Sequence, residues 1–111
     1  MNIHDQQHGA VTVLKPDGPI SQDGANVFKQ RLFTALDQSL GRVVVDLSAV
    51  PFVDSLALEV FADANAELSA GGQVLRFCNI NETLREVFDL TGMGSHFEQF
   101  DEVNSAVRSF L

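Results

Sequence analysis

Residues 42–47 read RVVVDL, and this run constrains the fold more than any other stretch of the chain. Three consecutive β-branched residues favour extended backbone, and no polar residue alternates among them. Such a strand must be covered on both faces, which places it inside a sheet that carries helices on either side. The period then changes. From about Ser55 to Ala70 the chain reads as a helix, with Leu56, Leu58, Val60, Phe61, Ala62 and Leu68 spread over much of its girth, and Gly71-Gly72 stop it. Apolar residues on so many sides predict a well-covered helix. A strand that feeds a helix in this way is one half of a parallel crossover.

The remaining segments extend the same pattern. NIHDQ, a turn at His8-Gly9 and AVTVLKP read as a hairpin, in which Val11, Val13 and Lys15 alternate with Ala10, Thr12 and Leu14 until Pro16 closes the strand. Ala25, Phe28, Leu32, Ala35 and Leu36 then recur at three- and four-residue steps, with Asp23 or Ser21 as cap and Gly41 as terminator. After the central strand and helix come a strand in QVLRF and a short helix in NETLREVFDL on Leu84, Val87 and Phe88. A short edge strand in HFEQF and a last helix on Val103, Ala106, Val107 and Phe110 complete the chain, with Asp101 positioned to cap that helix. The order ββαβαβαβα predicts one α/β domain over residues 1–111, with a mixed four- to five-stranded sheet and about four helices. In such sheets sites gather at the carboxyl ends of the parallel strands, and the loops GPIS, FVDS and CNIN converge there.

Charge narrows the partners. Fifteen acidic residues against seven basic ones give a net charge of −8, and all nine aromatics are Phe. Nucleic acid and anionic membrane surfaces are therefore disfavoured, and self-repulsion predicts a monomer. The N-terminal MNIHDQQHG lacks the basic start and apolar core of a signal peptide, and no apolar run approaches the roughly 18 residues of a membrane span, so the expected address is the cytoplasm. The single cysteine, Cys78, reads as a small core residue at a strand end.

At the junction of the central strand and helix stands FVDSLAL, residues 52–58. Read by itself, Asp54 or Ser55 caps the helix. Ser55 also sits where unpaired helix N–H groups tolerate a phosphate, so a hydroxyl there can serve as a regulatory acceptor. Phe52 is expected to fill the core at this corner, and Leu56 to face either solvent or a partner. A nucleophilic enzyme is disfavoured, because Val53 and Ala57 stand at the glycine positions of a G-x-S-x-G elbow and His4, His8 and His96 form no evident triad. His4, Asp5 and His8 flank a turn with no further ligand cluster, and neither metal nor cofactor is expected.

The string VVVDLSAVPFVDSLAL resembles the signature of the STAS domain, in its anti-sigma-factor antagonist branch. The Gly-x-Ile step at Gly18 to Ile20, the AGGQV turn at 70–74 and DLTGM at 89–93 agree in order and spacing. The resemblance implies a non-enzymatic protein-binding module of a partner-switching pathway. Its partners would be an anti-sigma-type serine kinase, which phosphorylates the serine after the Asp, and a serine/threonine phosphatase that reverses the step. Carried onto this chain, the acceptor is Ser55, and the switch edge comprises Ser21, Asp54, Ser55, Leu56 and Ala57. Leu56 stands where the signature has a second hydroxyl residue, Ala57 where it has glycine, and Ser21 where many members carry Asp. The other reading that the resemblance leaves open is a constitutive STAS subunit bracing the ATPase of a membrane lipid transporter.

Overall fold

The computed structural model describes residues 1–111. Five strands, β1 (Asn2–His8), β2 (Val11–Asp17), β3 (Val43–Asp46), β4 (Arg76–Cys78) and β5 (Glu98–Phe100), lie side by side in sequence order. The β1–β2 hairpin is antiparallel and every other pair is parallel. Between them run α1 (Asp23–Gln38), α2 (Ser55–Ala70) and α3 (Glu82–Thr91). A short 3₁₀ turn (Met93–His96) precedes β5, and α4 (Val103–Arg108) follows it. No helix is long and apolar enough to cross a membrane.

The valine run is buried on both faces, and its alternation assigns the two layers. Val43 and Val45 join Leu14, Phe77 and the stripes of α1, α2 and α3 in the main core, whereas Val44 turns to the other face with Val11, Val13, Cys78 and Ala106 of α4. The hairpin turn is Gly9-Ala10, one residue later than expected, with Gly9 at φ 64°. β2 is covered on both faces: Val11 through Leu14 are all buried, with Val11 and Val13 in the layer that contains Ala106 of α4.

Every residue of the predicted α1 stripe is buried. Its caps differ from expectation. Neither Asp23 nor Ser21 caps α1; Gln22 holds the N-cap position at φ 50°, ψ −125° and makes no side-chain cap bond. Likewise Glu102 holds the N-cap position of α4 and makes no side-chain cap bond, so Asp101 is not its cap. Helix α2 is covered on one side only. Ala57, Val60, Phe61, Ala64, Asn65 and Leu68 are buried, while Leu56, Ala62, Asp63, Ala66 and Glu67 face outward. Phe61 is the hub of the core, meeting Phe28, Phe77, Phe88 and Phe97 edge-on at centroid distances of 5.9, 4.9, 6.2 and 6.4 Å. This packing fixes α2 on the sheet, and with it the position of its first turn.

Candidate functional site

The loops predicted to converge do meet at the carboxyl edge of the parallel strands. A parallel bridge pairs Ile20 with Val53. Gly18 N–H donates to Ala49 O (2.9 Å), Ile20 N–H to Phe52 O (3.2 Å), and Asp54 N–H to Ile20 O (3.2 Å). The segment before α1 thus forms a short continuation of the sheet with the segment before α2.

Asp54 is the N-cap of α2. Its extended backbone (φ −102°, ψ −176°) lets Oδ1 accept from Ala57 N–H at 3.0 Å, the geometry by which an Asp satisfies an unpaired donor of the first turn. The other oxygen reaches across the loops, and Oδ2 accepts from Gln22 N–H at 2.9 Å. One carboxylate therefore ties the starts of α1 and α2 together. The bond from Gln22 first, then that from Ala57, holds its carboxyl below the usual carboxylate range, against a smaller opposing effect of partial burial.

With Asp54 in the cap position, Ser55 becomes the first residue of the helix. Its side chain is exposed, and no internal hydrogen bond engages Ser55 Oγ. Leu56 follows at 47 % exposure. Phe52, expected in the core, is 49 % exposed instead: Pro51 turns the chain outward, and Val53 rather than Phe52 takes the inward bridging position. Phe52 and Leu56 thus leave two half-exposed apolar side chains within three residues of Ser55 in the chain. Ala57 lies on the opposite side of the first turn and is fully buried, so only its backbone N–H serves the edge, through Asp54. Ser21 is half-buried in the turn before α1, where its carbonyl accepts from Gly24 N–H at 2.9 Å.

Two participants were missed from sequence. Gln22 contributes a backbone donor from a conformation that no propensity announces. Asn81, just before α3, is the other: Oδ1 caps that helix by accepting from Leu84 N–H at 2.8 Å, and Nδ2 donates to Val50 O (3.2 Å) and Pro51 O (3.3 Å). An Asn directly before Glu-Thr-Leu carries a readable cap signal, but its second set of bonds is tertiary.

The other candidate groups lie elsewhere. His8 Nε2 sits 3.1 Å from Gln6 Oε1 on the hairpin, and no group of three or more His, Cys, Asp or Glu side chains gathers as a metal site. Cys78 is fully buried, and burial first, then the nearby Asp46 carboxylate, push its thiol up to about 12. At the edge around Ser55 there is one exposed hydroxyl, a carboxylate with one backbone N–H on each oxygen, and two half-exposed apolar side chains close by in the chain.

Comparison with known proteins gives the family and the fold. The model of the STAS domain family matches residues 2–106. A Thermotoga maritima protein named as an anti-sigma factor antagonist is 24 % identical over 98 residues, covering 87 % of each chain. A crystal structure of an anti-sigma factor antagonist from that organism superposes with a TM-score of 0.88 at 22 % identity, covering 96 % of this chain and 92 % of the other. The Bacillus cell fate determinant SpoIIAA, solved in its phosphorylated form, superposes with a TM-score of 0.72 at 18 % identity, covering 99 % and 100 %. Strand order, helix placement and the matched span converge on one assignment: the chain belongs to the STAS domain family.

Proposed function

We propose that this chain is a cytoplasmic protein-binding module of a partner-switching pathway, of the anti-sigma factor antagonist kind, controlled by phosphate on Ser55. The observation that carries the reading is the division of roles at the start of α2. Asp54 supplies the cap, so the adjacent hydroxyl is exposed and uncommitted, with Phe52 and Leu56 half-exposed within three residues of it in the chain. The partners are an anti-sigma-type serine kinase, which docks on this edge and phosphorylates it, and a phosphatase that restores the hydroxyl. ATP and any metal belong to those enzymes. The chain acts as a monomer and supplies surface rather than catalysis; its net charge of −8 favours a partner with a basic face.

The test is capture of partners from a lysate of the source organism, followed by incubation with ATP and intact-mass analysis. One added phosphate that maps to Ser55 is expected, and Ser55→Ala abolishes it while still capturing the partner. Ser55→Asp keeps the native circular dichroism spectrum and binds more weakly, because a desolvated anion opposes docking. Phosphate on Ser48 or Thr91 would refute the assignment of the acceptor. Capture of a transport ATPase with no modification would replace this reading with that of a constitutive transporter subunit.

A further inference from the structure

The loop between β3 and α2 hands its carbonyl groups to two different neighbours. Ala49 O and Phe52 O accept from Gly18 N–H and Ile20 N–H on the α1 side. Between them, Val50 O and Pro51 O turn the other way, and both accept from Asn81 Nδ2 on the α3 side. Pro51 has no N–H, so this stretch offers no backbone donor there, and the Asn81 side chain supplies one to the two carbonyls. The orientation of the amide follows from its partners: Leu84 N–H requires an acceptor and the two carbonyls require a donor, so Oδ1 faces the helix and Nδ2 faces the loop.

A second tie runs parallel to the first. The carboxylate of Asp46, buried at the end of β3, accepts through Oδ1 from Ser48 N–H and from Asn79 Nδ2, each at 3.0 Å. Asn79 stands in the left-handed region at φ 57°, which turns the chain back toward the β3–α2 loop and delivers Asn81 to Val50 and Pro51.

We infer that Asn81 is a positioning residue for the Ser55 edge, clamping the β3–α2 loop from the α3 side through Nδ2 independently of its role as helix cap. The inference rests on the Ser55 reading only for its consequence in signalling; the clamp itself is a property of the free protein. Phe52 and Ser55 therefore hold their places because the loop is fastened at both flanks, by Asp54 to Gln22 on one and by Asn81 on the other.

The two roles separate by substitution. Asn81→Asp and Asn81→Ser retain an oxygen for Leu84 N–H; Asp has no donor for the carbonyls and the single O–H of Ser ends one bond short of the Nδ2 position, whereas Asn81→Ala loses both groups. Amide hydrogen exchange, read residue by residue by NMR on the full chain, distinguishes them. In Asn81→Asp and Asn81→Ser the N–H groups of Ile20 and Asp54, which pair across the loop, should exchange about two- to tenfold faster, while those of α3 stay at the wild-type rate. Asn81→Ala should speed both sets. Loop exchange unchanged in Asn81→Asp and Asn81→Ser would overturn the clamp, since only the cap would then matter. A uniform rise over the whole chain, or failure of both variants to fold, would also overturn it, because the two roles would not be separable. The measurement needs no partner, so a failed clamp appears in loop exchange and a failed phosphoswitch in the mass of Ser55 after kinase treatment.

Discussion

Gln22 is held at φ 50°, ψ −125°, and Ser21 O accepts from Gly24 N–H at 2.9 Å across it. That is the second position of a turn that glycine ordinarily fills, because a Cβ there crowds the backbone. The side chain is exposed, so replacement removes little contact. Backbone held in such a region costs about 1–3 kcal/mol, and glycine adds about 0.4–1 kcal/mol of unfolded-state entropy to be overcome. Gln22→Gly should therefore stabilise the domain by about 0.5–2 kcal/mol. For 111 residues, at about 2.1 cal/mol/K per residue, each kcal/mol moves the melting temperature by about 4 °C, so a rise of about 2–8 °C is expected. Gln22→Ala provides the control: it keeps the Cβ and the strain and should show no rise. The assay is calorimetric melting together with urea unfolding, in which the midpoint moves and the slope does not. A glycine variant that melts at or below wild type, or an alanine variant that gains as much, would refute the argument from strain.

Phe61→Ala removes the ring on which four others pack and should cost about 3–5 kcal/mol, a large part of a typical domain's net stability, seen as a fall in the urea midpoint. Cys78 should resist a thiol reagent at pH 8 in the native chain and react at once in urea. Because its folded value is raised from an ordinary 9.0 to about 12, the thiol's contribution to stability is complete below pH 9.0 and is lost as pH rises toward 12; Cys78→Ala should flatten that alkaline decline. Truncating Phe52 or Leu56 to Ala should each weaken a captured partner about three- to tenfold, since covering the exposed half of such a side chain is worth about 0.7–1.5 kcal/mol, and undiminished capture would remove the pair from the interface.

Local periodicity made the α1 stripe, the buried valines of β3 and the parallel order legible, because burial follows a repeat that the residues themselves display. What the sequence did not disclose lies where one segment answers another. Asp54 was readable as a cap, but its second oxygen serves Gln22, 32 positions away. Phe52 looks like core by composition and is turned outward by Pro51 and by the inward bridge of Val53. Helix α2 reads as apolar nearly all round, yet only one face meets the sheet and α1. Leu56, Ala62 and Ala66 are left outside, a distinction that hydrophobicity alone does not draw.

The outward turn of Phe52 bears on how a phosphate on Ser55 would act. An anion at a helix start ordinarily takes the free N–H groups of the first turn. Here the Ala57 N–H is already committed to Asp54, whose carboxylate is itself held by Gln22. A phosphate, adding roughly −1.5 to −2 charges, would therefore meet a negative neighbour that already occupies the cap position. Repulsion from Asp54 opposes its turning toward the cap, and solvent hydrates it. On the proposed reading it would hydrate the edge that carries Phe52 and Leu56, and a partner docking there would have to desolvate it. Refolding is not required for such a switch: the cap, the Gln22 bond and the Asn81 bonds hold the backbone in place, and only the character of the exposed edge changes.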